Sequence, residues 1–308
     1  MKRYFAAGQP ITPPQLDPDP FKAAEEGASE PPRGFRRAMA RLKRNPLSIV
    51  ALVFLVLAYA AAILAPHLAP YSPTHMDLTH FLAPPSPAHP LGTDDSGHDI
   101  VSQLLFGGRV SLAVGLAAVI VSVVVGVAVG LSTGFFGGWV DTVLMRITDA
   151  MLTIPTFFLL LVVMAFFGSS LRNVILAIGL TSWMGVARLV RGEVLRIKSM
   201  DFMEAARAMG AAPRRMMIKH LLPQTGPQVI VAASLGTGAA ILSESALSYL
   251  GLGVQPPTAT WGNMLTDAQN YIWQRPLLAF YPGVLILLTV LAFNFLGEGL
   301  RDILSVEN

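Results

Sequence analysis

Six apolar stretches, each near the roughly 20 residues a helix needs to cross a bilayer, alternate with polar segments along this chain. They run near Leu47–Ala65, Val110–Thr133, Val140–Phe167, Leu171–Val190, Pro227–Leu250 and Ala279–Leu296. The third is the least regular, because Arg146, Asp149 and Pro155 interrupt it. Spaced i, i+3, Arg146 and Asp149 are placed to pair on one helix face near its start. In the second stretch Gly126, Gly130 and Gly134 recur every four residues, so one helix face lacks side chains and admits another helix closely. That helix belongs either to this chain or to a partner subunit. The pattern predicts an all-α integral membrane protein with six transmembrane helices.

The polar segments orient the spans. No Lys or Arg occurs between Asn45 and Gly108, where Asp77, Asp94, Asp95 and Asp99 all lie, whereas Arg188 to His220 is dense in both. Basic loops stay in the cytoplasm, so the N-terminus, the C-terminus and segment 191–226 are expected inside. Loops 66–108 and 251–278 are expected outside. The first 45 residues are polar and proline-rich and read as a largely disordered cytoplasmic segment. Its end, Arg33 to Arg44, reads as a basic anchor to anionic membrane lipid. Residues 46–308 are the transmembrane domain.

Composition agrees with this layout. The chain of 308 residues is 53% hydrophobic and 13% charged, against about 25% charged in soluble domains. Cysteine is absent, which excludes disulfides and thiolate metal sites. No G-x-x-x-x-G-K-[ST] phosphate loop occurs, so ATP hydrolysis, if used, belongs to another chain.

Candidate chemistry is sparse. His67, His75, His80, His89 and His98 share loop 66–108 with the four aspartates. Their spacing is irregular, and a solvated loop with helix caps fits better than metal capture; no metal site is expected. Asp95 and Ser96 are candidate N-caps for a short interfacial helix through Leu105. Glu244, between Ser243 and Ser245, falls near the outer end of the fifth span. An ionisable group there is either part of an outer gate or translocation path, or a buried acceptor bonded to a neighbouring helix. Trp261 in "QPPTATWGNML" marks an ordered outer loop, and Asn294 reads as a contact between helices. No nucleophile–base set points to a catalytic site. The basic cluster has no interleaved aromatic residues, which argues against nucleic-acid binding.

The segment "EAARAMGAAPRRMMIKHLLP", Glu204–Pro223, is cationic and half apolar. Asp201 to Met209 should form a helix ended at Gly210, Pro213 suits the start of a second, and Pro223 lies where the chain re-enters the membrane. Arg207, Arg214, Arg215 and Lys219 offer a basic face; Phe202, Met209, Met216 and Met217 offer an adaptable apolar one. Its chemistry alone fits either protein docking or lying on anionic lipid.

The pattern Glu204-Ala205-Ala206, Gly210, Leu222-Pro223 resembles the EAA loop of permease subunits of ATP-binding-cassette importers, with His220 where that family often has Ile. "HPLGTDDSGHDIVSQLLFGGRVSL", "GFFGGWVDTVLMRITDAMLTIP", "ILSESALSYLGLGVQPPTATWGNML" and "LTVLAFNFLGEGLRDIL" resemble the second permease of the dipeptide, oligopeptide and nickel subfamily. His98 and Gln103 stand where that subfamily has Arg. The resemblance implies a type I importer permease fold and a non-catalytic subunit of a bacterial plasma-membrane peptide importer. It implies docking on an ATPase through Glu204, Ala205, Ala206, Gly210, Arg214, Arg215, His220, Leu222 and Pro223. The implied partners are a homologous second permease, two ATPase subunits carrying ATP and Mg, and a periplasmic or lipid-anchored substrate-binding protein. This chain itself would bind no cofactor. A nickel or other small-solute importer is the alternative within the family. A stand-alone secondary transporter is the alternative outside it, and no inverted repeat favours that reading.

Overall fold

A computed structural model describes residues 45–304 of the chain; the basic N-terminal anchor expected from the sequence lies outside them. Among the described residues, five helices are long and apolar enough to cross a membrane, and six spans result if one bent pair counts as one.

Helix α1, Pro46–Ile63, starts on a proline whose fixed φ suits the first turn. Helix α2, Ile100–Phe136, is 37 residues long, roughly 55 Å at 1.5 Å per residue, longer than the hydrocarbon core of a bilayer requires. The separate interfacial helix expected from Asp95 and Ser96 does not form; that stretch is a turn followed by the first turns of α2. Asp99 is the cap, accepting from the Ser102 backbone N–H. Asp94 meanwhile accepts from the backbone N–H groups of Ser96 and His98, which uses the donors a helix starting at Asp95 would have needed.

The third span is broken. α3, Gly138–Thr153, and α4, Thr156–Phe167, meet at a 90° bend where Pro155 removes a backbone donor. The expected pair within α3 is replaced by one between helices: Asp149 bonds Arg188 on α5, Leu171–Lys198. α5 runs two turns beyond its expected end at Val190. Its N-terminus is capped by Ser170, whose hydroxyl accepts from the Asn173 N–H.

The glycine face of α2 packs within the chain, against α5. A Cβ at Gly126, Gly130 or Gly134 would stand 2.6–2.7 Å from Val186, Ala187 or Val194, closer than atoms can sit. At the far end Lys198 donates to the Phe135 carbonyl at 2.6 Å. α2 and α5 therefore form one tightly packed pair.

After α5 comes α6, Asp201–Ala208, then a turn, and then helical chain from Pro213 to Tyr249. The sequence placed the return to the membrane at Pro223 and the start of the fifth span at Pro227. One π-helical turn, Met217–Leu221, widens the backbone just ahead of Pro223, which accommodates a residue with no N–H. The helix continues as α7, Leu222–Tyr249. α8, Trp261–Gln269, and α9, Leu277–Leu304, complete the fold.

The core follows the bundle axis. Met203, Met216 and Leu221 are buried with Val190, Val194 and Ile197 at one end. Leu160, Met164, Val174, Ile178 and Leu247 pack towards the other. α1 leans on α9 through Leu55, Phe293 and a Ser48 hydroxyl donated to the Phe295 carbonyl at 2.9 Å. One end thus carries the basic segment 191–226, the other the histidine-rich loop.

Candidate functional site

At the basic end, α6 is a short amphipathic helix seated by two residues, Met203 and Ala206, both buried. Its C-terminus closes with two reciprocal bonds, Ala211 N–H to the Ala206 carbonyl at 3.1 Å and Gly210 N–H to the Arg207 carbonyl at 3.0 Å. That closure puts Gly210 at φ +77°, a left-handed conformation costly for any residue with a Cβ. A Cβ there would meet nothing within 4 Å, so conformation rather than space selects the glycine.

This geometry divides the docking residues named from the sequence. Glu204, Ala205, Gly210, Arg214, Arg215, Leu222 and Pro223 are exposed, while Ala206 is buried beneath them. Met216 is also buried and belongs to the core, not to the apolar face expected from the sequence. Met209 is 81% exposed and Phe202 is exposed as well. His220 is half-buried and its ring stands 6.4 Å from that of Phe202. Among the described residues, Glu204, Arg207, Arg214 and Arg215 make no ion pair. The molecule thus presents a carboxylate, three guanidinium groups and a bare alanine face, positioned by a buried methionine anchor and unpaired among the described residues.

At the histidine end, Glu244 is completely buried and ringed by hydroxyl donors. Ser111 on α2 donates to Oε2 at 3.0 Å and Ser248, one turn on, to Oε1 at 2.8 Å. Ser245 reaches Oε2 at 3.5 Å. The chain of bonds extends outward, because the Trp261 backbone N–H donates to the Ser111 hydroxyl at 3.2 Å. The Trp261 indole lies over Gly108, where a Cβ would sit 2.8 Å from the ring, and donates to the Leu104 carbonyl at 3.0 Å. Glu244 therefore ties α7, α2 and the start of α8 together. Ser243 points elsewhere and donates to the Ala239 carbonyl one turn back. The i, i+4 spacing of Glu244 and Ser248 was visible in the sequence; Ser111, 133 residues away, was not.

The histidine loop is folded more tightly than a solvated loop. His89 and Asp99 are both buried, and His89 Nδ1 donates to Asp99 Oδ1 at 3.1 Å. The other ring nitrogen faces Asp77 at 3.6 Å, and Tyr71 stacks on the ring at 4.9 Å. Bonds from the Thr79 hydroxyl and backbone, and from His80, hold the Asp77 carboxyl well below the usual carboxylate range. Gln103 donates to the Pro73 carbonyl and His98 bonds Asp94, so two positions where the resembled subfamily has Arg hold this loop by other bonds. Beside it, a recess of about 460 Å³ is lined by Asp94, Asp95, His98, Asn263 and Asp267. Partial desolvation and the neighbouring Asp95 and Asp94 raise the Asp267 carboxyl to about 6. A second cavity, about 640 Å³, opens near the basic end between α5, α7 and α9, lined by Leu189, Gln228, Leu235, Glu298 and Arg301.

Residues 126–306 match the family of binding-protein-dependent transport system inner membrane components, and residues 35–85 match the N-terminal transmembrane domain of oligopeptide transport permease C. The chain is 38% identical to a dipeptide transport system permease protein of Alkalihalophilus pseudofirmus, over 95% of this chain and 96% of that one. It is 40% identical to a glutathione transport system permease protein of Pectobacterium atrosepticum, over 88% and 90%. A dipeptide transport system permease protein of Bacillus subtilis is 39% identical over 87% and 84%. Among solved structures, the MetNI methionine ABC transporter in an inward-facing conformation superposes with a TM-score of 0.54 at 22% identity. That match covers 65% of this chain and 96% of the other, a likeness of fold.

Proposed function

The chain belongs to the family of binding-protein-dependent transport system inner membrane components, the permeases of ATP-binding-cassette importers, and from that premise we propose that it carries small peptides across a bacterial plasma membrane. In this reading it forms half of a translocation pathway with a homologous second permease. Two ATPase subunits, holding ATP and Mg, dock at the basic end, and a periplasmic or lipid-anchored binding protein delivers substrate at the histidine end. Segments 1–45 and 191–226 lie in the cytoplasm and loops 66–108 and 251–278 outside. The dipeptide and glutathione relatives support a peptide-like substrate.

The observation that carries the docking role is a charged set that makes no ion pair among the described residues: Glu204 and Arg207 on α6, whose only buried side chains are Met203 and Ala206, and Arg214 and Arg215 just past the Gly210 turn. Such a surface gains by pairing with a partner's charges. Nucleotide binding must then favour one arrangement of the spans by a differential free energy, delivered through α6. Gly210→Val, which strains the turn, and Glu204→Ala are each expected to abolish peptide uptake by the assembled transporter while the chain still inserts. Native uptake and native ATPase stimulation in both variants would overturn the docking role. Uptake of a labelled dipeptide, a tripeptide and Ni²⁺ in parallel decides the substrate class.

A further inference from the structure

The first half of the broken third span is held by charge rather than by packing. α3 buries one residue, Thr148, so little apolar area fixes it. Two ion pairs fasten it to α5 instead. Arg191 grips Asp141 with two parallel bonds, Nε to Oδ1 at 2.6 Å and Nη2 to Oδ2 at 2.7 Å, the planar two-point geometry that gives such pairs their directionality. Arg188 Nη2 reaches Asp149 Oδ1 at 2.5 Å. Along α3 the two aspartates are roughly 12 Å apart, while along α5 the two arginines are separated by about 4.5 Å. α3 therefore crosses α5 steeply, in keeping with the 90° bend into α4.

Both ends of α3 are joints. Gly137 and Gly138 adopt φ +66° and +52° with open space around them, and Ile154-Pro155 interrupts the helix at the other end. Between these joints α3 is a short rod. α5, which holds it, is packed on α2 along the glycine seam and leads within two residues into α6. α4, beyond the second joint, buries Leu160 and Met164 among Val174 and Ile178 and ends beside α7, where the Ser169 hydroxyl donates to the Leu252 carbonyl at 3.1 Å. A displacement of α6 thus has a stiff route into α5, and a route from there into α3 that consists of two ion pairs.

We infer that Asp141 and Asp149 are positioning residues: paired with Arg191 and Arg188, they make α3 follow α5 and so pass movement of the α6 segment into the broken third span. This rests on the docking role proposed for α6. A mere static brace would stabilise the fold without affecting how much substrate moves per ATP.

The test uses the assembled transporter with its ATPase subunits in lipid nanodiscs. The chain has no cysteine, so spin labels can be placed singly at I147C on α3 and L195C on α5, both exposed positions. In the native background the distance between labels should stay constant between the nucleotide-free and vanadate-trapped states. With D141N/D149N it should change between those states, and substrate moved per ATP hydrolysed should fall about tenfold, the scale of an ordinary coupling free energy. The charge swap D141R/R191D should recover most of that loss. Transport per ATP within twofold of native in D141N/D149N, or a swap no better than D141R alone, overturns the inference. If the double variant does not assemble, the swap and the half-exposed D149N alone decide by the same criteria. Failure of the docking role would look different: Gly210→Val would then keep native coupling, whereas failure of this inference leaves Gly210→Val uncoupled and D141N/D149N native.

Discussion

Glu244 shows how one residue's surroundings choose between two roles. Its carboxylate takes three serine hydroxyls and lines neither cavity, so we assign it to holding α2, α7 and α8 together. Glu244→Gln keeps an acceptor and the shape, and the hydroxyls can rotate; near-native thermal stability in detergent is expected. Glu244→Leu leaves buried hydroxyls without their acceptor, at about 1–3 kcal/mol for each unsatisfied group, and should lower the unfolding temperature clearly. Equal stability of the two variants would contradict the assignment. Asp267 makes a pH prediction. Its folded value, near 6 against an ordinary 3.8, means the folded chain binds its proton more tightly than the unfolded one. Its contribution to stability is therefore most favourable at acid pH and is lost as pH rises from about 4 to 6. Asp94 and Asp95 oppose its charge across the recess, and His98 favours it. Asp267→Asn should flatten that part of the stability–pH curve; an unchanged slope would refute it.

At the scale of helices, the α2–α5 seam and the α3 rod are opposites. The seam is backbone against side chain with no slack, so Gly130→Val must push the helices apart, at a cost of about 1–3 kcal/mol or more. Gly185→Ala, where the added Cβ meets nothing within 4 Å, is the matched control and also improves helix propensity. Yield of folded protein from the two variants should differ sharply, and similar yields would show the seam to be loose. The glycine spacing that marks this seam was legible in the sequence. Its partner was not, because a four-residue repeat describes one surface and says nothing about which helix covers it. The bend at Pro155 was half legible: the proline announced an interruption, but the 90° angle between α3 and α4 was not encoded in it.

For the whole molecule, the direction of insertion is the outstanding property, and the cysteine-free chain makes it measurable. M209C, at the basic end, should react with a membrane-impermeant maleimide only in inverted vesicles. W273C, on the segment joining α8 and α9 and 95% exposed, should react only in intact cells or right-side-out vesicles. The opposite pattern would reverse the proposed orientation and place the α6 surface away from any cytoplasmic ATPase.

Hydropathy by itself determined the number of apolar stretches and their approximate limits, because each reports a local length of chain that must avoid water. Local stereochemistry likewise determined the α6 helix and its stop at Gly210, where the backbone bonds of a single turn require a positive φ. Tertiary structure decided everything that depends on residues distant in the chain: that Asp149 bonds Arg188 and not Arg146, that Met216 faces the core, and that Ser111 meets Glu244. Charges and hydroxyls pair with whatever the packed helices bring within about 3 Å, and no periodicity along one segment encodes the position of another.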